Sequence, residues 1–178
     1  VLQLVNSNDI GATEEDYLRV IDAKTAQLFA AAARIGAVLG ERSEAEERAL
    51  ESYGRHLGIA FQLVDDVLDY SAREAELGKT IGDDFREGKI TLPIVLAVRA
   101  ADERERQFWR RTLERLEQDE DDLACAIAIL ERHGTLAATL ARAGEYAREA
   151  HAALAAFRPG PEQKALDDVI DFCLERGY

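Results

Sequence analysis

The chain is 178 residues long, has a net charge of −13, and contains 32% charged residues and 3 prolines. That length suffices for the core of one domain, and a chain rich in Ala, Leu, Glu and Arg and poor in Pro favours helix over strand. The acidic balance excludes nucleic acid and an anionic membrane surface as main partners, because both demand clustered positive charge.

No apolar run approaches the roughly 20 residues of a transmembrane span, and no signal peptide is visible at the start. The chain opens at Val1 and contains no Met, which predicts part of a longer polypeptide. Cys125 and Cys173 share no metal-ligand spacing with the histidines. They read as free thiols of a reducing compartment, the cytoplasm.

The first residues, Val1, Leu2, Leu4 and Val5, end in Asn6-Ser-Asn-Asp9, a turn signal. Thr13-Glu-Glu-Asp16 then starts a helix over 13–40. Leu18, Ile21, Leu28, Ile35 and Leu39 follow a helical period, and the alanines at 30–33 allow close packing. Lys24 interrupts the apolar middle and, by itself, reads as a surface lysine.

Ser43-Glu-Ala-Glu46 caps a second helix over 43–70. At about 100° per residue, Gly58, Gln62, Asp65 and Asp69 fall on one stripe, at spacings of four, three and four. Leu57, Phe61, Val64 and Leu68 lie beside it, and Ile59, Leu63 and Val67 cover most of the rest, so the helix reads as buried nearly all round. Buried carboxylates need partners or they protonate. A hard divalent cation solves that problem, and Mg²⁺ characteristically takes one or two carboxylates plus water and phosphate oxygens.

A polar, glycine-punctuated connection over 71–88 follows. It brings Gly78-Lys79, and soon after Gly88-Lys89, close behind the acidic helix. Each lysine is a point charge suited to phosphate. The Gly78-Lys79-Thr80 run is not a P-loop, because Arg73 stands where a P-loop needs Gly and no strand precedes it.

Thr91 caps a helix with Pro93 in its first turn. Residues 102–117 read as an amphipathic helix with Phe108, Leu113 and Leu116 inward and Trp109 at a packing edge. Further helices are predicted over 119–132, closed by His133-Gly134, over 135–157, and over 162–176 after the Pro159-Gly-Pro161 break. No strand pattern, repeat or domain boundary is visible, giving a single all-α domain over 1–178. Asp167-Asp168-Val-Ile-Asp171 repeats the spacing of Asp65, Asp66 and Asp69, but it lacks the apolar surround and the lysine loop. It reads as a solvated helix face.

The run Gly58-Ile-Ala-Phe-Gln-Leu-Val-Asp-Asp-Val-Leu-Asp-Tyr, then Leu77-Gly-Lys-Thr-Ile-Gly-Asp-Asp84 and Glu87-Gly-Lys-Ile-Thr-Leu-Pro93, resembles the trans-type polyprenyl diphosphate synthases. Lys24-Thr25-Ala26 matches that family's Lys-Thr segment, and Gly-Lys-Ile-Thr-Leu-Pro resembles the long-chain, octaprenyl-type members. The resemblance implies an isoprenoid synthase-type helical bundle around a central cavity, usually a homodimer. Such a bundle condenses an allylic diphosphate with isopentenyl diphosphate with the help of Mg²⁺. It implies metal ligation by Asp65, Asp66 and Asp69, with Asp65 the main ligand. It also implies a diphosphate clamp of Lys24, Lys79 and Lys89, orientation by Thr25 and Gln62, and a supporting role for Asp84. Asp65, Lys24 and Thr25 become the catalytic candidates.

The family's first aspartate-rich motif and its isopentenyl-binding basic residues precede the matching region. The chain is therefore expected to be the C-terminal portion, inactive alone. The other readings are a non-catalytic subunit of a heteromeric synthase, a class I terpene cyclase, and a helical interaction module whose acids are only surface charge.

Overall fold

The computed structural model describes residues 8–71 and 81–177. Among the described residues the regular structure is entirely helical, as the composition and periodicity predict. Two compact units interleave along the chain. One combines the residues up to Val20 with Asp65–Thr139, and the other combines Ile21–Val64 with the residues from Leu140 onward.

Helix α1 (Glu14–Ile21) starts at the expected box, with Asp16 N donating to Thr13 Oγ1 at 3.2 Å and Thr13 N to Asp16 Oδ2 at 3.1 Å. The single helix expected over 13–40 is instead α1, a π-helical turn at Asp22–Ala26, and α2 (Gln27–Leu39). A π turn holds an extra residue, and that residue shifts the inward face. Ala26, Ala30 and Ala37 are buried, whereas Leu28, Ile35 and Leu39, expected inside, are 72%, 56% and 80% exposed.

Helix α3 (Glu44–Leu68) starts at a second predicted box, Ser43 with Glu46. In the second unit α3 lies so close to α2 that two of its residues must be glycine. A Cβ on Gly54 would stand 2.4 Å from the Phe29 carbonyl oxygen, and one on Gly58 would stand 2.7 Å from Ala26 Cα. The alanine run predicted to allow close packing serves that purpose. Tyr53 and Leu57 then pack with Ala147, Ala150 and Leu154 of α8 (Thr135–Leu154) and with Ile170 and Cys173 of α9 (Pro161–Glu175). Val169 and Phe172, on the other side of α9, are exposed.

The first unit is built on α4 (Asp83–Arg86), α5 (Leu92–Ala100), α6 (Glu103–Trp109) and α7 (Asp122–Arg132). Trp109 corrects the expectation of a packing edge. It is fully buried in the core with Phe85, Leu113 and Leu130, and its ring meets Phe108 edge-on at 4.9 Å. A second π turn, Arg110–Glu114, follows α6, and Leu116 then leaves the helix at φ 56°. This is why Leu116, expected inward, is 52% exposed. Thr91 precedes α5 in extended backbone, but its side chain makes no capping bond. His133 closes α7 as predicted, and its Nε2 also lies 2.9 Å from Glu105, a buried acid.

Candidate active site

The acidic motif occupies the end of α3 and the turn after it. Its three carboxylates have different environments. Asp65 is exposed, Asp66 is 2% exposed, and Asp69 is half-buried. The sequence reading of one uniformly buried acidic helix therefore holds for Asp66 and not for Asp65.

Asp66 accepts a hydrogen bond from the phenol of Tyr17 on α1, a buried contact between residues 49 apart in sequence. Burial comes first, and the nearby Asp66 charge second, in holding the Tyr17 phenol well above its ordinary pKa. At neutral pH Tyr17 keeps its proton and donates this hydrogen bond.

Asp69 fastens the connection that follows. Its two carboxylate oxygens accept the backbone N–H groups of Asp83 at 3.2 Å and Asp84 at 3.1 Å, while its carbonyl accepts Gly82 N at 2.7 Å. Gly82 has φ 78°, and a Cβ there would press 2.3 Å from Leu123. No side chain other than glycine's fits without a shift. Burial, and then the charge of Asp84, push the Asp69 pKa up to about 6 against the opposing backbone bonds. The carboxylate is ionised at neutral pH, at an energetic cost that a cation would relieve.

Lys89 is half-buried and already engaged, with Nζ 2.8 Å from Asp84 Oδ1 and 2.8 Å from Glu87 Oε2. Burial disfavours its charge, but these two partners outweigh burial and raise its pKa. Asp84, given a supporting role by the resemblance, is the partner of this lysine. Lys79 lies outside the described residues.

In the second unit the π turn carries Lys24 and Thr25. Lys24 is exposed, and Thr25 Oγ1 donates to Gln62 Oε1 at 2.9 Å. The structure thus pairs Thr25 with Gln62, two candidates 37 residues apart in sequence. π turns recur at functional sites because they aim side chains that an α-helix would stack. The duplicate motif near the end is taken up in pairs between and within helices. His151 Nδ1 lies 2.8 Å from Asp167 and its Nε2 3.3 Å from Asp171, while Lys164 holds Asp168 at 2.8 Å.

Among the described residues, no group of three or more His, Cys, Asp or Glu side chains converges closely enough to hold a metal ion. The donors nevertheless fit a hard cation that takes one or two carboxylates and completes its shell with water and phosphate oxygens. Asp65 is accessible, and the carboxylates of Asp66 and Asp69 follow it on the same turn. Cys125, exposed, and Cys173, buried, are free thiols.

The family model described as polyprenyl synthetase matches residues 1–130. The chain belongs to the polyprenyl synthetase family. It is 41% identical over 180 residues to an octaprenyl diphosphate synthase of Haemophilus influenzae, covering 100% of this chain and 54% of that protein. It is 42% identical over 176 residues to the octaprenyl diphosphate synthase of Escherichia coli, covering 99% and 54%.

Among solved structures, a decaprenyl diphosphate synthase from Rhodobacter capsulatus superposes with a TM-score of 0.93 at 47% identity, covering 99% of this chain and 55% of the other. A Caulobacter crescentus polyprenyl synthase, complexed with calcium and isoprenyl diphosphate, superposes with a TM-score of 0.93 at 46% identity, covering 99% and 54%. The chain spans about half the length of the synthases it matches. The all-α fold and the synthase resemblance read from residues 58–93 are thereby borne out. Among the described residues no single helix is long and apolar enough to cross a membrane.

Proposed function

We propose that this chain is the C-terminal part of a single helical prenyltransferase domain. The domain condenses an allylic diphosphate with isopentenyl diphosphate to build a long polyprenyl diphosphate. The observation that carries this reading is the acidic turn, in which an exposed Asp65 stands beside the buried Asp66 and the loop-fastening Asp69.

In this reading Asp65 holds Mg²⁺ directly, and Asp66 and Asp69 act directly or through water. Mg²⁺ bound there would neutralise the charge that develops on the departing diphosphate. Lys24, Lys79 and Lys89 clamp phosphate oxygens, with Lys89 exchanging Asp84 or Glu87 for phosphate. Thr25 and Gln62 orient the diphosphate through their mutual hydrogen bond. The allylic C–O bond breaks, and the electron pair leaves with diphosphate. The allylic carbon then bonds to the alkene of isopentenyl diphosphate, and a proton is lost to the released diphosphate. Fixed charges aimed at the leaving group account for the rate because they need no reorganisation during the step. A cytoplasmic homodimer completes the proposal. The homodimer rests on the family, the long product on the Gly88–Pro93 run and the octaprenyl synthase relatives, and the compartment on the free thiols.

The test joins the chain to the preceding half of one of the octaprenyl synthase relatives and supplies farnesyl diphosphate, labelled isopentenyl diphosphate and Mg²⁺. Incorporation of label into extractable polyprenyl products is expected. The chain alone is expected to incorporate none, since the relatives devote almost half their length to the remainder of the fold. A folded chimera that incorporates no label contradicts the reading.

A further inference from the structure

Tyr17 was not a candidate from sequence, and the reaction scheme above does not use it. It is 7% exposed, on α1, and its hydroxyl donates to Oδ2 of Asp66, itself 2% exposed on the last turns of α3. Apolar filling alone would be satisfied by phenylalanine at this position. The hydroxyl has a separate consequence. A carboxylate this deeply buried is costly without donors, and a phenol held in a packed helix faces it from one fixed direction. The next carboxylate along α3, one residue earlier, is the exposed Asp65. Asp66 therefore shares a helical turn with Asp65, and what holds Asp66 still bears on the turn that carries Asp65.

We propose that Tyr17 is a positioning residue for this acidic edge. By donating to Asp66 it locks that carboxylate in one orientation and so preorganises Asp65 for a divalent cation carrying a diphosphate. The inference rests on the metal–diphosphate reading of the site. Tyr17 touches neither cation nor substrate in this scheme and acts through Asp66. Partners that orient ligating or near-ligating carboxylates typically change metal affinity by about 10- to 100-fold when removed.

The experiment measures Mn²⁺ binding by the chain in the presence of methylenediphosphonate, read from the electron paramagnetic resonance of free Mn²⁺. For Tyr17→Phe the dissociation constant is expected to rise about tenfold, at a temperature where circular dichroism shows the helices intact. A role in packing alone would lower the melting temperature and leave affinity unchanged, so a Tyr17→Phe chain that binds as tightly as the unaltered one overturns the inference. Failure of the unaltered chain to bind would overturn the metal–diphosphate reading and this inference with it, which separates the two failures.

A second measurement covers a Tyr17→Phe variant that does not fold. 3-Fluorotyrosine placed at position 17 keeps the ring and hydroxyl. Its ¹⁹F resonance is expected to shift when Mg²⁺ and methylenediphosphonate are added together, and a resonance that does not move contradicts the coupling.

Discussion

Replacing Asp65 by alanine in the elongating chimera is expected to slow label incorporation about a thousandfold or more, on the order of 4 kcal/mol of transition-state stabilisation. Diphosphate departs readily only when its developing charge is met, and Asp65 is the accessible carboxylate of the acidic turn. Asp66 does not make good the loss of the main ligand, because it is buried and its Oδ2 is engaged by Tyr17. Asp69 cannot take over without releasing the N–H groups of Asp83 and Asp84. Asp65→Asn should fall almost as far, since it keeps the shape and loses the charge.

The duplicate motif supplies the control. Asp168→Ala removes an exposed acid paired with Lys164 and should leave the rate within about twofold, as expected for an exposed ion pair. Single-turnover incorporation of one labelled isopentenyl unit measures all three. An Asp65→Ala rate within tenfold of the parent would refute the metal role.

The second large effect concerns the fold. Gly54→Ala is expected to destabilise the chain by about 3 kcal/mol or more, because overpacking against rigid backbone is relieved only by moving a helix. The added Cβ would lie 2.4 Å from Phe29 O, 2.7 Å from Phe29 C and 2.9 Å from Ala30 Cα, all backbone atoms of α2. The same substitution at Gly144, within α8, meets nothing closer than the Arg148 guanidinium at 3.9 Å. There the loss of glycine's backbone freedom dominates, and Gly144→Ala should stabilise by about 0.5–1 kcal/mol. Urea unfolding followed by circular dichroism measures both. Equal effects of the two substitutions would contradict the packing described for α2 and α3.

The helices were legible in the sequence wherever local chemistry sets them. The Thr13 and Ser43 boxes, the His133-Gly134 stop and the Pro159-Gly-Pro161 break all act within a few residues. The faces were less legible. A single extra residue in the Asp22–Ala26 turn moved Leu28, Ile35 and Leu39 outward, and hydrophobic period alone cannot register a π turn that tertiary packing stabilises. Trp109 was misplaced for a related reason. Its neighbours in sequence are charged, but its neighbours in space are Phe85, Leu113 and Leu130.

In the site, the apolar surround and the lysines behind the motif singled out Asp65, Asp66 and Asp69 over the copy at Asp167–Asp171, but they could not assign the three acids different environments. That division depends on Tyr17 and on the amides of Asp83 and Asp84, which the fold brings in from 49 and about 15 residues away. Thr25 and Gln62 were named through the resemblance, but the hydrogen bond between them was not legible, because it joins residues 37 apart in sequence. Gly54 could have been found. It stands four residues before Gly58 on a helix facing an alanine run, a spacing that signals close helix contact.

Binding of a diphosphate by the acidic turn through a divalent cation is measured by one titration. Methylenediphosphonate is titrated calorimetrically into the chain with and without Mg²⁺, and into Asp65→Ala under the same conditions. Binding that requires Mg²⁺ and weakens at least tenfold in Asp65→Ala is the predicted result. Binding of equal strength without Mg²⁺, or equal strength in Asp65→Ala, would contradict it.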